Sequence, residues 1–298
     1  MGIQNREDKI LNSLLESRAD NEHVIDVPRD HTYTIITNIL TFLIGIFIVL
    51  LIWQGFAVLY NDYIGNSLIP FTTPLEAFER LFELLSGGNM FGVTIYDHVF
   101  ASLKRWTMGY VISAVIGILT GLILGYSTRL YPVGIIPVHI LQMIPGLAWI
   151  PIAMLMFGLG DESAIFIIAM TAMAPIIINV SSGIRKAPPV IMRVANMVGS
   201  SKFSIFSNIL IPYASLDIIN GLRIGLANAW RVLIAAEMVV GVAVGLGYSI
   251  SQATYVIDYS SAFVCIMVIC AIGLFVEKVV FVSIEKYIRR KIGLEEGV

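Results

Sequence analysis

Charge is what this sequence has least of. Only 13% of its 298 residues are Asp, Glu, Lys or Arg, about half the share of an ordinary soluble domain. Hydrophobic residues make up 57%, and the mean hydropathy is +0.84. So few charges cannot cover a water-soluble body with this much apolar surface, and the chain belongs in a membrane. A formal net charge of −2 supplies no basic field, which excludes nucleic acid as a partner. Cys265 and Cys270 are the only cysteines; both fall in an apolar run and read as packing or lipid-facing residues, not as a disulfide framework. His23, His31, His98 and His139 are scattered without metal-ligand spacing, so no metal site is expected.

What the chain does have is long apolar stretches. A hydrocarbon core of about 30 Å takes roughly 20 helical residues. Six segments meet that need: Ile35–Leu59, Thr107–Tyr126, Tyr131–Leu159, Ser163–Val180, Leu216–Gly241 and Ala262–Val282. The expected fold is therefore an all-α membrane protein of six transmembrane helices. The first 34 residues are polar, with no secretory leader; Ile10, Leu11, Leu14 and Leu15 in them fit either a surface helix or a partly ordered tail. Arg6, Lys9, Arg18, Arg29, Arg129, Arg185, Lys186, Arg193, Lys202, Lys286, Arg289, Arg290 and Lys291 fall on one side of this arrangement, and Arg80, Lys104 and Arg105 on the other. The positive-inside rule then puts both termini in the cytoplasm. The expected domains are an N-terminal tail over 1–34, a membrane domain over 35–285 and a C-terminal tail over 286–298.

The loop between the fourth and fifth spans carries the most local information. Pro189 suits a first helical turn, and Val194, Met197, Val198, Ile205 and Ile209 recur at helical spacing. Gly199 reads as a helix-ending glycine and Ser200 as the next N-cap, so two short helices meet at a corner. An amphipathic hairpin of this kind fits either a groove on another protein or the bilayer surface. Along the second span, Gly117, Gly121 and Gly125 form a smooth ridge for a close neighbour, as do Gly221 and Gly225 in the fifth.

The same loop, 185–212, resembles the EAA motif of ABC importer permeases. Ala195, Gly199, Ile209 and Pro212 are in register with that motif, while Arg193 and Val194 stand where the family has Glu and Ala. Pro70–Ala77, Ile144–Pro151, Phe157–Gly160, Gly221–Arg223 with Ala229–Trp230, and Ala235–Met238 resemble further signatures of the nitrate/sulfonate/taurine/bicarbonate branch. The resemblance implies a type I importer permease subunit in a prokaryotic plasma (inner) membrane. It would pair with a second permease chain as a homodimer, within the membrane lipid, and would move a small anion by alternating access. It also implies two ATP-binding subunits that grip the loop through Arg193, Val194, Ala195, Gly199, Ile209 and Pro212, and an extracellular or periplasmic solute-binding protein. ATP and Mg would sit on the partner ATPase, and no cofactor or catalytic residue is expected on this chain. The chain has no Gly-x-x-x-x-Gly-Lys-Ser/Thr phosphate loop, and Leu85-Ser86-Gly87-Gly88, which mimics the start of the ATPase signature, reads as a turn after a helix.

Intramembrane polar groups mark the candidate path, because a charge at a helix centre costs about 2.5–3.5 kcal/mol on insertion scales. The fifth span carries Arg223, Arg231 and Glu237. Arg223 and Glu237 share a helix face but are about 21 Å apart along it, so they cannot pair. Both suit bonds to neighbouring helices, and Glu237 also remains a path candidate. Arg231 with Asn228 could offer an anion a forked donor, or could bridge to another segment. Gln142, Met143 and Trp149, around Pro145 and Pro151 of the third span, complete the path candidates as a possible gate at a proline kink. Two other cargo and mechanism classes stay open at this point: a neutral or heteroaromatic vitamin-like solute on the same machinery, and an ion-gradient-driven secondary transporter.

Overall fold

The computed structural model describes residues 31–64 and 70–292. The pattern of Ile10, Leu11, Leu14 and Leu15 lies outside the described residues. The chain divides after Leu59 into two units. The described part of the first is a single helix, α1 (His31–Leu59), apolar on every face and without an Asp, Glu, Lys or Arg.

The second unit opens with a π-helical turn, Tyr60–Ile64, followed by α2 (Pro74–Leu85). Thr73 starts α2 through a capping box: its hydroxyl accepts from the Glu76 N–H, and the Glu76 carboxylate accepts from the Thr73 N–H. Ser86 and Gly87 then turn the chain into a short antiparallel hairpin, β1 (Asn89–Met90) and β2 (Val93–Thr94). A second capping box, Thr94 with Asp97, launches α3 (Ile95–Tyr126). Next come α4 (Tyr131–Met143), a 3₁₀ turn (Gly146–Trp149), α5 (Ile150–Phe157) and α6 (Asp161–Arg185). The loop helices are α7 (Pro189–Met197) and α8 (Lys202–Ile205), which runs through a π turn (Phe206–Leu210) into α9 (Ile211–Val239). The unit closes with α10 (Leu246–Tyr255), α11 (Tyr259–Phe275), a π turn (Val276–Phe281) and α12 (Val282–Ile292).

Among the described residues five helices are long and apolar enough to cross a membrane, and six if the bent pair around the 3₁₀ turn counts as one span. The middle of the unit is α6, held between α3 and α9. Close approach is what the glycine ridges allow. A Cβ on Gly121 would fall 2.6 Å from Val180 Cβ, and Ile176 is gripped from both sides, by Gly117 of α3 and Gly225 of α9. The main apolar core joins Trp106, Trp149, Ile167, Ile168, Trp230 and Leu233 across these helices.

Three expectations need correction. The third span is not one kinked helix: α4 and the segment Gly146–Phe157 meet at 100°. Pro145 gives no N–H to continue α4, whereas Pro151 sits in the first turn of α5, where a proline breaks nothing. The second span starts twelve residues earlier than the apolar window, at Ile95, so Lys104 and Arg105 are helix-interior residues and not loop residues. The N-cap after Gly199 is Ser201, whose hydroxyl accepts from the Ser204 N–H at 3.1 Å, and not Ser200.

Candidate functional site

The loop between α6 and α9 turns a corner at Gly199 and has an apolar outer face. Gly199 takes φ +79°, a conformation that L side chains rarely adopt. This lets the N–H groups of Gly199 and Ser200 bond back to the Asn196 and Ala195 carbonyls, at 3.1 and 3.0 Å, and close α7. Ala195 is buried, fixing α7 to the body, and Lys186 holds the entry of the loop to α9 through Asp217. Outward from this base project Val194 (53% exposed), Met197 (88%), Val198 (79%) and Phe203 (79%), with Arg193 exposed beside them. Ile209 is half-buried, and Pro212 lies in the first turn of α9. Large apolar side chains this exposed on a polar loop suit either a surface covered by another protein or contact with the bilayer surface.

A second exposed stripe runs along α9. Tyr213, Asn220, Ile224, Arg231 and Met238 follow one another at steps of four and seven residues and all remain open. Among the described residues, Arg231 hydrogen-bonds within its own helix: Nε donates to the Ala227 carbonyl at 3.2 Å, and Nη2 to Asn228 Oδ1 at 3.4 Å. No carboxylate pairs with it among the described residues. Arg223, two turns earlier, is occupied: it bonds Glu277 at 3.0 Å and lies 3.7 Å from Glu285. Both arginines border a cavity of about 440 Å³ between α3, α9 and α11. Gln142 and Met143 are exposed where α4 ends, Met143 to 81%.

Two of the path candidates do not face open space. Trp149 is packed in the apolar core, edge-on to Phe166. Glu237 is buried where α3, α9 and α10 meet. Its carboxylate takes Arg105 Nη1 at 2.7 Å, the Ser102 hydroxyl at 2.8 and 2.9 Å, and the Gly247 N–H at 2.9 Å. Arg105 in turn donates from Nε to Asp161, at the start of α6, at 2.7 Å. Both carboxylate oxygens of Glu237 thus accept from donors, one of them charged, which is how a carboxylate tolerates burial. The approach requires Gly247, since a Cβ there would fall 2.8 Å from Glu237 Cβ. Arg105 and Ser102, which sequence reasoning did not select, are the residues that make this anchor; a charge interrupting an otherwise helical approach to the second span was the available signal. Next to it, His98 is fully buried: Nδ1 accepts from the Gly245 N–H at 3.1 Å, so Nε2 carries the proton it donates to the Met90 carbonyl at 3.0 Å.

The family model described as the binding-protein-dependent transport system inner membrane component matches residues 84–294. This chain is a member of that family. As such an inner membrane component, it is 33% identical to the nitrate import permease protein NrtB of Synechocystis over 79% of this chain and 84% of that protein. It is also 33% identical to the bicarbonate transport system permease protein CmpB of Synechococcus elongatus, over 82% of this chain and 87% of that one. A putative ABC transporter permease protein of Methanocaldococcus jannaschii is 31% identical over 76% of this chain and 83% of its own length. Among solved structures, a chain of the MetNI methionine ABC transporter in an inward-facing conformation superposes with a TM-score of 0.57, at 19% identity, over 70% of this chain and 98% of that one. That likeness carries the fold, a type I ABC importer permease. The chain is accordingly a multi-pass membrane permease of an ABC importer, and the inner membrane component matches from the end of α2 to the end of α12.

Proposed function

We propose that the protein is the permease subunit of an ATP-driven importer for a small anion of the nitrate, sulfonate, taurine or bicarbonate kind. The observation that carries the cargo class is Arg231, a guanidinium in a membrane-spanning helix, exposed and without a carboxylate among the described residues. An unpaired intramembrane cation is costly unless it meets an anion or water in a cavity. The names of the nitrate and bicarbonate permeases to which the chain is similar agree with that sign of charge. Two permease chains form the path as a homodimer, with the stripe through Asn220, Ile224, Arg231 and Met238 facing it, and with Asn228, Gln142 and Met143 at its edge. Two ATP-binding subunits hold loop 185–212 by its apolar face, and ATP hydrolysis belongs to them and not to this chain. A solute-binding protein delivers the anion from outside a prokaryotic plasma membrane, and both permease termini lie in the cytoplasm. Closure of the ATPases on nucleotide biases the permease between inward-open and outward-open states, so energy enters through the loop.

The test is uptake of labelled nitrate and labelled bicarbonate by proteoliposomes holding the permease with its co-purified ATPases. Arg231→Ala is expected to lower uptake of the transported anion about tenfold or more, the worth of one lost charge-assisted contact. Wild-type uptake by Arg231→Ala would remove Arg231 from the path and with it the argument for an anion.

A further inference from the structure

A second groove lies where the loop between α6 and α9 meets the end of α3. One wall is residues 119–126 of α3, and the other is Lys202, Phe203 and Phe206; together they enclose about 410 Å³. Tyr126 and Phe206 join the two walls edge to face, with ring centroids 5.4 Å apart. Leu119, Ile123 and Phe203 remain more than half exposed, so the groove stands open.

Depth and charge together limit what can fill it. Leu119 precedes Tyr126, the last residue of α3, by seven positions, so the groove runs about 10 Å down a membrane-spanning helix. A soluble subunit resting on the loop does not reach that far into a bilayer, whereas an acyl chain does. The groove also ends a continuous apolar face of α3 on which Val111, Val115 and Ile116 are exposed.

Lys202 is the only charged residue of the lining; it is exposed and has no ion pair among the described residues. A lysine beside apolar surface lays its alkyl stem along that surface and keeps its ammonium toward water. The chain segments that build the groove supply no acid to meet it, since Asp and Glu are absent over 98–160 and over 163–216. Arg129, three residues beyond Tyr126, is a further exposed cation. An apolar trough with an uncompensated cation matches a molecule that has an apolar chain and an anionic head.

We propose that this groove binds an anionic phospholipid, with one acyl chain along 119–126 of α3 and the phosphate of the headgroup at Lys202. The proposal rests on the reading of loop 185–212 as cytoplasmic, because the cytoplasmic leaflet carries the anionic lipids, and it does not depend on the cargo. The lipid bridges a spanning helix to the loop through which the ATPases act. Val194, Met197 and Val198, which are not part of the groove, are left for the ATP-binding subunits, so the loop serves both partners.

The experiment reconstitutes the full-length permease with its co-purified ATPases in vesicles of phosphatidylethanolamine and phosphatidylglycerol. A trace of phosphatidylglycerol or phosphatidylcholine carries a photoreactive group in its acyl chain, and labelled peptides are mapped by mass spectrometry. Phosphatidylglycerol is expected to label 119–126 and 202–206 about fivefold more than phosphatidylcholine does, the worth of one lysine near an anionic surface. Lys202→Glu should abolish that preference, whereas Lys286→Glu, the same charge change on α12, should leave it intact. Should Lys202→Glu fail to assemble, the comparison of the two lipids in the wild-type protein still decides. Equal labelling by both lipids, a preference that survives Lys202→Glu, or one lost equally with Lys286→Glu overturns the site. A groove covered by α1, by a second permease chain or by an ATP-binding subunit takes up no label, which also overturns it. Both leaflets of these vesicles hold both lipids, so the label reads the groove whichever way the chain faces; protease access to the loop in sealed vesicles tests the cytoplasmic reading separately.

Discussion

Arg105 connects three helices with one guanidinium. It bonds the fully buried Glu237 of α9 and the half-exposed Asp161 of α6 from its own position in α3. The two bonds have nearly the same length and very different consequences. Removing Arg105 leaves a carboxylate enclosed without a cation, a loss of about 3–5 kcal/mol, whereas an ion pair with one partner half in solvent contributes about 0–1 kcal/mol. Arg105→Met is therefore expected to destabilise the detergent-solubilised permease strongly in thermal unfolding, and Asp161→Asn only slightly. Arg105→Met combined with Glu237→Leu should recover much of the loss, because no charge is then left buried. Equal effects of Arg105→Met and Asp161→Asn would contradict the assignment of Glu237 as the buried anchor. This pairing was not legible in the sequence. Apolar windows locate spans by the absence of charge, and Arg105 is excused its charge by partners 56 and 132 residues away.

Helices in lipid announce themselves because the bilayer demands apolar length, so the spans were readable to within a turn or two wherever no charge intruded. The glycine ridges were readable for a similar reason: four-residue spacing has one geometric meaning on a helix, and Gly117, Gly121 and Gly225 all meet α6. The angle between α4 and α5 was not, since Pro145 states that hydrogen bonding stops and says nothing about where the chain goes next. The short α10 was missed because its apolar face, Leu246, Ile250 and Ala253, spans only ten residues among Ser, Thr, Gln and Gly, too short for a search by spanning length; Glu237 and Ser102 hold its first N–H groups. The loop corner was legible in outline because Gly199 has to be a glycine. Proline at that position cannot reach φ +79° and gives no N–H for the Asn196 carbonyl. Gly199→Pro is thus expected to re-aim α7 against α8 while leaving the membrane helices in place. In reconstituted complexes, uptake should fall about tenfold or more while ATP hydrolysis persists without response to the binding protein, and unchanged uptake would show that the corner does not transmit force.

At the scale of the molecule, two surfaces stand open among the described residues, the apolar face of loop 185–212 and the stripe of α9, and the proposed function gives each a partner. Gentle solubilisation from its native membrane should therefore bring out this chain with an ATPase, at one ATP-binding subunit per permease chain by quantitative mass spectrometry. Recovery of the chain alone, still able to drive uptake in liposomes without ATP, would contradict the importer reading. The 100° turn between α4 and α5 carries a consequence for how cells make the protein. Thirteen and eight residues of helix span about 20 and 12 Å, and neither crosses a hydrocarbon core of about 30 Å. Where they meet, the last carbonyls of α4 have no following N–H from Pro145, and Met143 and Leu147 stand exposed. Lipid tails supply no donors for such carbonyls, so the turn is comfortable only against another protein or a water-filled space. A newly inserted chain waiting for its partners would hold an unsolvated backbone within the bilayer, the kind of defect that membrane proteases and chaperones detect. The steady-state amount of permease would then follow the supply of its partners and not its own rate of synthesis, with the excess degraded.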